Sequence, residues 1–156
     1  MQTVLFVCGH NAGRSQMAEA FVNRLAMERC LPIRAVSAGT IAGDRINPIA
    51  IQAMQELGIS MQGQKPKQLT AGMVYYADRT ITMGCGVDAS ACLIEDWKQD
   101  EREDWRLDDP ANQPIEVVRQ IRDRIRAYVE TLLTEMMAAE ENAVNDPDGL
   151  QIGLWK

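Results

Sequence analysis

The sequence contains a single histidine, His10. That excludes a metal site built from several imidazoles and argues against a Ser-His-Asp arrangement. Aromatic residues supply 5% of the chain, too few to suggest a ring-lined slot. No apolar run approaches the roughly 18 residues of a membrane span. The first residues, MQTVLFVC, carry neither a basic region nor a cleavage site, so no signal peptide is read and a cytoplasmic location is expected. Positive charge is in deficit, with 16 Lys and Arg against 22 Asp and Glu and a net charge of −6. This argues against nucleic-acid binding but does not touch small anions, because a local site can be positive within an acidic protein. Cysteine occurs four times, as Cys8, Cys30, Cys85 and Cys92. Without an export signal, these read as reduced thiols rather than a disulfide framework.

What remains is a chain of 156 residues, 46% of them apolar, enough for one domain with a substantial core. TVLFVC (Thr3–Cys8) is a short apolar run rich in branched residues and reads as a strand buried on both faces. A helix from Ser15 to about Arg29 follows, with Met17, Phe21 and Leu25 at a spacing of four. IRAVSAG (Ile33–Gly39) is a second strand. Asn47-Pro48 opens a helix, with Asn as the cap and Pro at its first position, and Gly58 ends it. Thr70 to Ala77 reads as a short helix, RTITM (Arg79–Met83) as a third strand, and EDWRLDDP (Glu103–Pro110) as holding a fourth. From Pro114 to about Ala139, Ile115, Val118, Ile121, Ile125, Val129, Leu132 and Met136 step by threes and fours, the pattern of a long amphipathic helix. Alternating strands and helices imply an α/β fold: a doubly wound, four-stranded parallel sheet with helices on both faces. Residues 1–139 are expected to form one catalytic domain, and 140–156, rich in Asn, Asp, Gly and Pro before a last apolar stretch, an irregular tail.

The chemistry concentrates after the first strand, in CGHNAGRS (Cys8–Ser15). Ligands of such sheets sit beyond the carboxyl ends of the strands. Gly9, His10, Asn11, Ala12, Gly13, Arg14 and Ser15 offer a curl of backbone N–H groups. Arg14 adds a fork of donors suited to a tetrahedral oxyanion. A helix start points its positive end at the same place. Such surroundings favour the thiolate of Cys8 and aim it at the central atom of the anion, and Ser15 can donate to that sulfur. The alternative is a buried structural cysteine before an ordinary turn. His10 reads as a loop side chain turned to solvent, and Cys30, near a helix end, as structural.

The loop, preceded by VLFV, resembles the phosphate loop of the low-molecular-weight protein tyrosine phosphatase fold. Continued as QMAEAF, it resembles the arsenate reductases built on that fold, and VSAG (Val36–Gly39), NPIAIQAM (Asn47–Met54) and DWRLDDPAN (Asp104–Asn112) fit their pattern in order. The segment MGCGVDASAC (Met83–Cys92) is similar to reductases of the thioredoxin-coupled type. The resemblance implies a relay: Cys8 attacks arsenate, Cys85 attacks Cys8 as arsenite leaves, and Cys92 attacks Cys85. The resulting Cys85–Cys92 disulfide would then be reduced by thioredoxin, with no bound cofactor and with phosphate or sulfate as competing anions. It also implies that Asp109, before Pro110, is the general acid, rather than Asp108 or a plain Asp-Pro turn. Some such reductases bind potassium beside the loop. Asn11, Glu19 and Ser37 match that site, but Lys67 stands where an acidic ligand is found, so its ammonium is expected to take the cation's place, with no metal bound. Gly13 stands where many relatives have a cysteine.

Other readings stay open at this point. A small thiol with glutaredoxin, or mycothiol, can replace thioredoxin, and Cys85 and Cys92 can instead be buried small hydrophobes. A tyrosine phosphatase would share the loop and the acid, although Ala111 follows Asp109-Pro110 where phosphatases tend to place an aromatic. A non-catalytic oxyanion or redox sensor is the third possibility. A monomer is expected, with no nucleic acid or membrane as partner.

Overall fold

Val4, Leu5, Phe6 and Val7 are all completely buried, so the first strand lies inside a sheet covered on both sides. Burying each large apolar side chain contributes about 1.5–3 kcal/mol, and this run has no polar face to offer solvent. The computed structural model describes residues 1–84 and 102–145. Within it the elements are β1 (Gln2–Cys8), α1 (Arg14–Glu28), β2 (Ile33–Gly39), α2 (Pro48–Gln55), α3 (Ala71–Tyr76), β3 (Arg79–Thr82), β4 (Arg102–Asp104) and α4 (Ile115–Asn145). The strands form one four-stranded sheet in the order β2-β1-β3-β4, with all pairings parallel. The chain passes from β1 to one side for β2 and to the other for β3. The order therefore reverses at β1, the place where such sheets open a crevice. The register sets Cys8 beside Gly39 at the carboxyl edge.

Alternation along β1 decides which helix covers which face. Val4, Phe6 and Cys8 share a core with Met17, Phe21 and Leu25 of α1, Ala50 and Met54 of α2, and Ile121, Ile125 and Val129 of α4. Leu5 and Val7 turn to the opposite face, where Met73 and Val74 of α3 pack on them. The doubly wound expectation is met in this way.

Boundaries differ from the sequence reading where local chemistry decides them. Helix α4 runs past Ala139 to Asn145, because Glu140, Glu141 and Ala143 are good helix formers. Residues 146–156 of the expected tail lie outside the described residues. Helix α2 is regular only to Gln55, and its last turn closes on Gly58 at φ 73. Cys30 is exposed rather than packed, at φ 52. It ends α1, with Cys30 N–H donating to Met27 O (3.3 Å) and Leu31 N–H to Ala26 O (2.8 Å), the bond pair of a helix stop that normally uses glycine. Strand β4 is short, and just beyond it the Trp105 N–H still donates to Thr82 O at 2.8 Å while its side chain turns inward. Trp105 is 2% exposed, meets Phe6 at 5.3 Å and stacks on Tyr128 at 5.0 Å. This anchors the segment that returns across the sheet edge to Asp109. Among the described residues, no helix is long and apolar enough to cross a membrane.

Candidate active site

The loop from Gly9 to Gly13 joins β1 to α1, and Cys8 is the last residue of β1. Its sulfur lies 2.8 Å from Ser15 Oγ and accepts the Asn11 N–H at 3.2 Å. Asn11 Nδ2 donates to the same Ser15 oxygen at 2.8 Å. That bond occupies a lone pair and leaves the hydroxyl proton for Cys8. Two donors therefore converge on the sulfur and fix its place at the mouth of the loop. Asn11 adopts φ 54, a conformation that asparagine tolerates better than most residues. Its Oδ1 accepts from Gln16 Nε2 at 2.8 Å and from the Lys67 N–H at 2.9 Å, which holds the curl in place.

Arg14 is 6% exposed. Its Nη1 donates to Met83 O at 3.1 Å and to Leu107 O at 2.9 Å, tying it to the ends of the β3 and β4 segments. Its Nη2 faces Asp109 Oδ2 at 3.8 Å, and the other carboxylate oxygen of Asp109 accepts the Ala111 N–H at 2.9 Å. The sequence separates Arg14 from Asp109, and the fold brings both to one pocket of about 190 Å³. Cys8, Gly9, His10, Ala12, Gly13 and Arg14 form one wall, and Asn47, Asp109, Pro110 and Ala111 the other. No Phe, Tyr or Trp is among these lining residues. A tetrahedral oxyanion, with cation and N–H donors on one side and a carboxyl on the other, suits this arrangement. The His10 ring is exposed, yet it borders the pocket and is oriented by a 3.0 Å contact between Nδ1 and Ile41 O.

Beside the loop, Glu19 is 7% exposed and its Oε1 lies 3.6 Å from Lys67 Nζ. Burial pushes the Glu19 carboxyl above its ordinary value, while the Lys67 ammonium and the neighbouring Ser37 pull it back. Gln64 Nε2 donates to the other Glu19 oxygen at 2.9 Å. The structure thus places Lys67 with Glu19, Ser37 and Asn11, the positions grouped by the sequence reading. Among the described residues, no cluster of three or more His, Cys, Asp or Glu could hold a metal ion. Cys85 and Cys92 lie outside the described residues.

Sequence reasoning missed three participants. Gln16 reaches back to Asn11 O and across to Lys65 O, and Gln64 reaches Glu19. Asn47 was legible only as a helix cap, because its second bond goes to Pro110 O, 63 positions along the chain.

The family model for low molecular weight phosphotyrosine protein phosphatase matches residues 3–143. A glutaredoxin arsenate reductase of Synechocystis sp. is 36% identical over 138 residues, which is 87% of this chain and 99% of that protein. A solved arsenate reductase in its phosphate-binding state superposes with a TM-score of 0.74 at 36% identity, covering 86% of this chain and 98% of the other. A thioredoxin-dependent arsenate reductase of Corynebacterium glutamicum gives 0.70 at 29% identity, covering 89% of this chain and 63% of that one. With that family model matched over residues 3–143 and a relative 36% identical over 87% of its length, the chain is an enzyme of the low molecular weight phosphotyrosine protein phosphatase family.

Proposed function

We propose that this enzyme reduces arsenate to arsenite, with Cys8 as the nucleophile. The observation that carries the proposal is the Cys8 sulfur, held by Ser15 and Asn11 at the base of an oxyanion-sized pocket that, among the described residues, no Phe, Tyr or Trp lines. Similarity to named arsenate reductases supports the choice of reaction. The Cys8 thiolate attacks As(V), and an As–O bond breaks as Asp109 protonates the departing oxygen, which leaves as water. Arg14 and the loop N–H groups carry the charge of the remaining oxygens. The Cys85 thiolate then attacks Cys8 Sγ. The electron pair of the S–As bond stays with arsenic, which leaves as As(III) while two thiols become a disulfide. Cys92 attacks Cys85 and frees Cys8, and the thioredoxin dithiol reduces Cys85–Cys92. Phosphate and sulfate compete for the pocket, and Lys67 stands in for a loop cation.

A second reading concerns the reductant alone. The Synechocystis relative is named for glutaredoxin, which favours a small thiol and glutaredoxin in the resolving steps. Arsenate-dependent NADPH oxidation separates the two. Turnover with thioredoxin and its reductase supports the three-cysteine relay. Turnover only with glutathione and glutaredoxin keeps the reduction but removes Cys92 from the cycle. Silence in both systems, with aryl phosphate hydrolysis intact, would overturn the reductase in favour of a phosphatase.

A further inference from the structure

Asn47 touches three separate parts of the site at once. Its backbone N–H donates to Ala12 O of the Cys8 loop at 2.8 Å. Its Oδ1 accepts the Ile49 N–H at 2.9 Å and caps α2. Its Nδ2 donates to Pro110 O at 3.3 Å and its side chain lines the pocket. Every hydrogen-bonding arm that points inward is therefore committed, one to the nucleophile's loop, one to a helix and one to the residue that follows Asp109.

The Asp109 segment needs such a tether. Trp105 and Leu107 are buried, but Asp108 and Asp109 are exposed. The direct link from Asp109 to the loop is a 3.8 Å approach to Arg14, with 59% of the Asp109 side chain exposed. An ion pair so open to solvent holds weakly. Pro110 is the stiff neighbour through which Asp109 can be aimed, because its ring fixes φ. One side of that ring rests on Gly13, where an added Cβ would come within 2.8 Å of Pro110 Cγ. The Pro110 carbonyl is held by Asn47. Ring and carbonyl together set where the preceding carboxyl points.

We infer that Asn47 is the positioning residue for the general acid: through Pro110 it holds the Asp109 carboxyl over the Cys8 loop. This rests on the reading of Asp109 as the acid in arsenate reduction. The discriminating variant is Asn47→Ser. Serine caps a helix about as well as asparagine, but its short side chain stops at the capping position and does not span to Pro110. A second variant, Asn47→Asp, keeps the cap and turns the Pro110-facing donor into an acceptor.

The experiment is single-turnover arsenite release from the full-length reduced enzyme at saturating arsenate, beside Asp109→Asn and the double variant. Phosphate affinity is measured by calorimetry and stability by thermal melting. General acid catalysis is worth about 10²–10⁴ in rate, so a misaimed acid is expected to cost Asn47→Ser about tenfold or more. Asn47→Ser combined with Asp109→Asn should be no slower than Asp109→Asn alone, because an acid that is absent cannot be misaimed. Phosphate affinity of Asn47→Ser should stay at the wild-type value and its Tm within the few degrees that one lost hydrogen bond costs, while Asn47→Asp, which adds a carboxylate to the anion pocket, should show the rate defect together with weaker phosphate binding. If Asp109→Asn is slow while both Asn47 variants keep the wild-type rate, the inference is wrong and the acid stands. A defect in Asn47→Ser that persists undiminished in the Asp109→Asn background, or that tracks lost phosphate affinity, also overturns it. Asp109→Asn at wild-type rate overturns the acid assignment and the inference together.

Discussion

Replacing Gly39 by alanine tests whether the nucleophile's loop is held rigidly by the strand beside it. Gly39 ends β2 opposite Cys8. A Cβ there would lie 2.7 Å from Gly9 O, 2.9 Å from Asn11 N and 2.9 Å from the His10 carbonyl carbon. All are backbone atoms, so no flexible side chain can swing aside. Gly39 cannot easily retreat either, because its N–H donates to Lys67 O and its carbonyl accepts the Leu69 N–H, both at 2.8 Å. Ordinary contact begins near 3.4 Å, so Gly9 O must back away by about 0.7 Å. That displacement drags on Asn11 N, one of the two donors to Cys8 Sγ. Overpacking of this kind costs about 1–3 kcal/mol, or roughly 2–12 °C in Tm for a chain of this size. Misplacement approaching 1 Å lowers rate by about 10²-fold. Arsenate turnover, phosphate affinity and thermal melting of Gly39→Ala check the three expectations. Wild-type turnover with Tm unchanged to within a degree would refute the view that β2 braces the loop.

Cys92→Ser is expected to release one equivalent of arsenite per enzyme and then stall, as quantified by rapid quench; sustained cycling with thioredoxin would rule out the relay. Glu19→Gln reports on the buried carboxyl. Burial raises the folded-state value above the ordinary 4.5, so the charged form is disfavoured in the fold. The wild type therefore loses stability as pH rises through the window above 4.5, and the variant does not. Urea unfolding should show equal stabilities at low pH and an advantage for Glu19→Gln near neutrality; the reverse would mean that the Lys67 attraction outweighs desolvation. Cys30→Gly relieves a left-handed residue at φ 52 and should add about 1 kcal/mol, or roughly 2–4 °C in Tm, with turnover unchanged.

The amino-acid sequence determined by itself whatever depends on neighbours along the chain. A branched apolar run ending in Cys8, a loop of small residues, Arg14 and a helix are consecutive, so the anion loop was readable from residue types and spacing alone. The same holds for the α4 stripe and the Asn47-Pro48 cap. Strand alternation was enough to call a parallel sheet, but the order β2-β1-β3-β4 came from pairing distant segments. Only the tertiary structure set Arg14 on the carbonyls of Met83 and Leu107, aimed Asp109 at the pocket and closed Pro110 onto Gly13. The second role of Asn47 belongs to the same class, as does the need for glycine at Gly39. These features rest on contacts between residues far apart in sequence, where composition and period carry no signal. Whether a side chain caps, braces or aims another is decided by what the fold sets a few ångströms away.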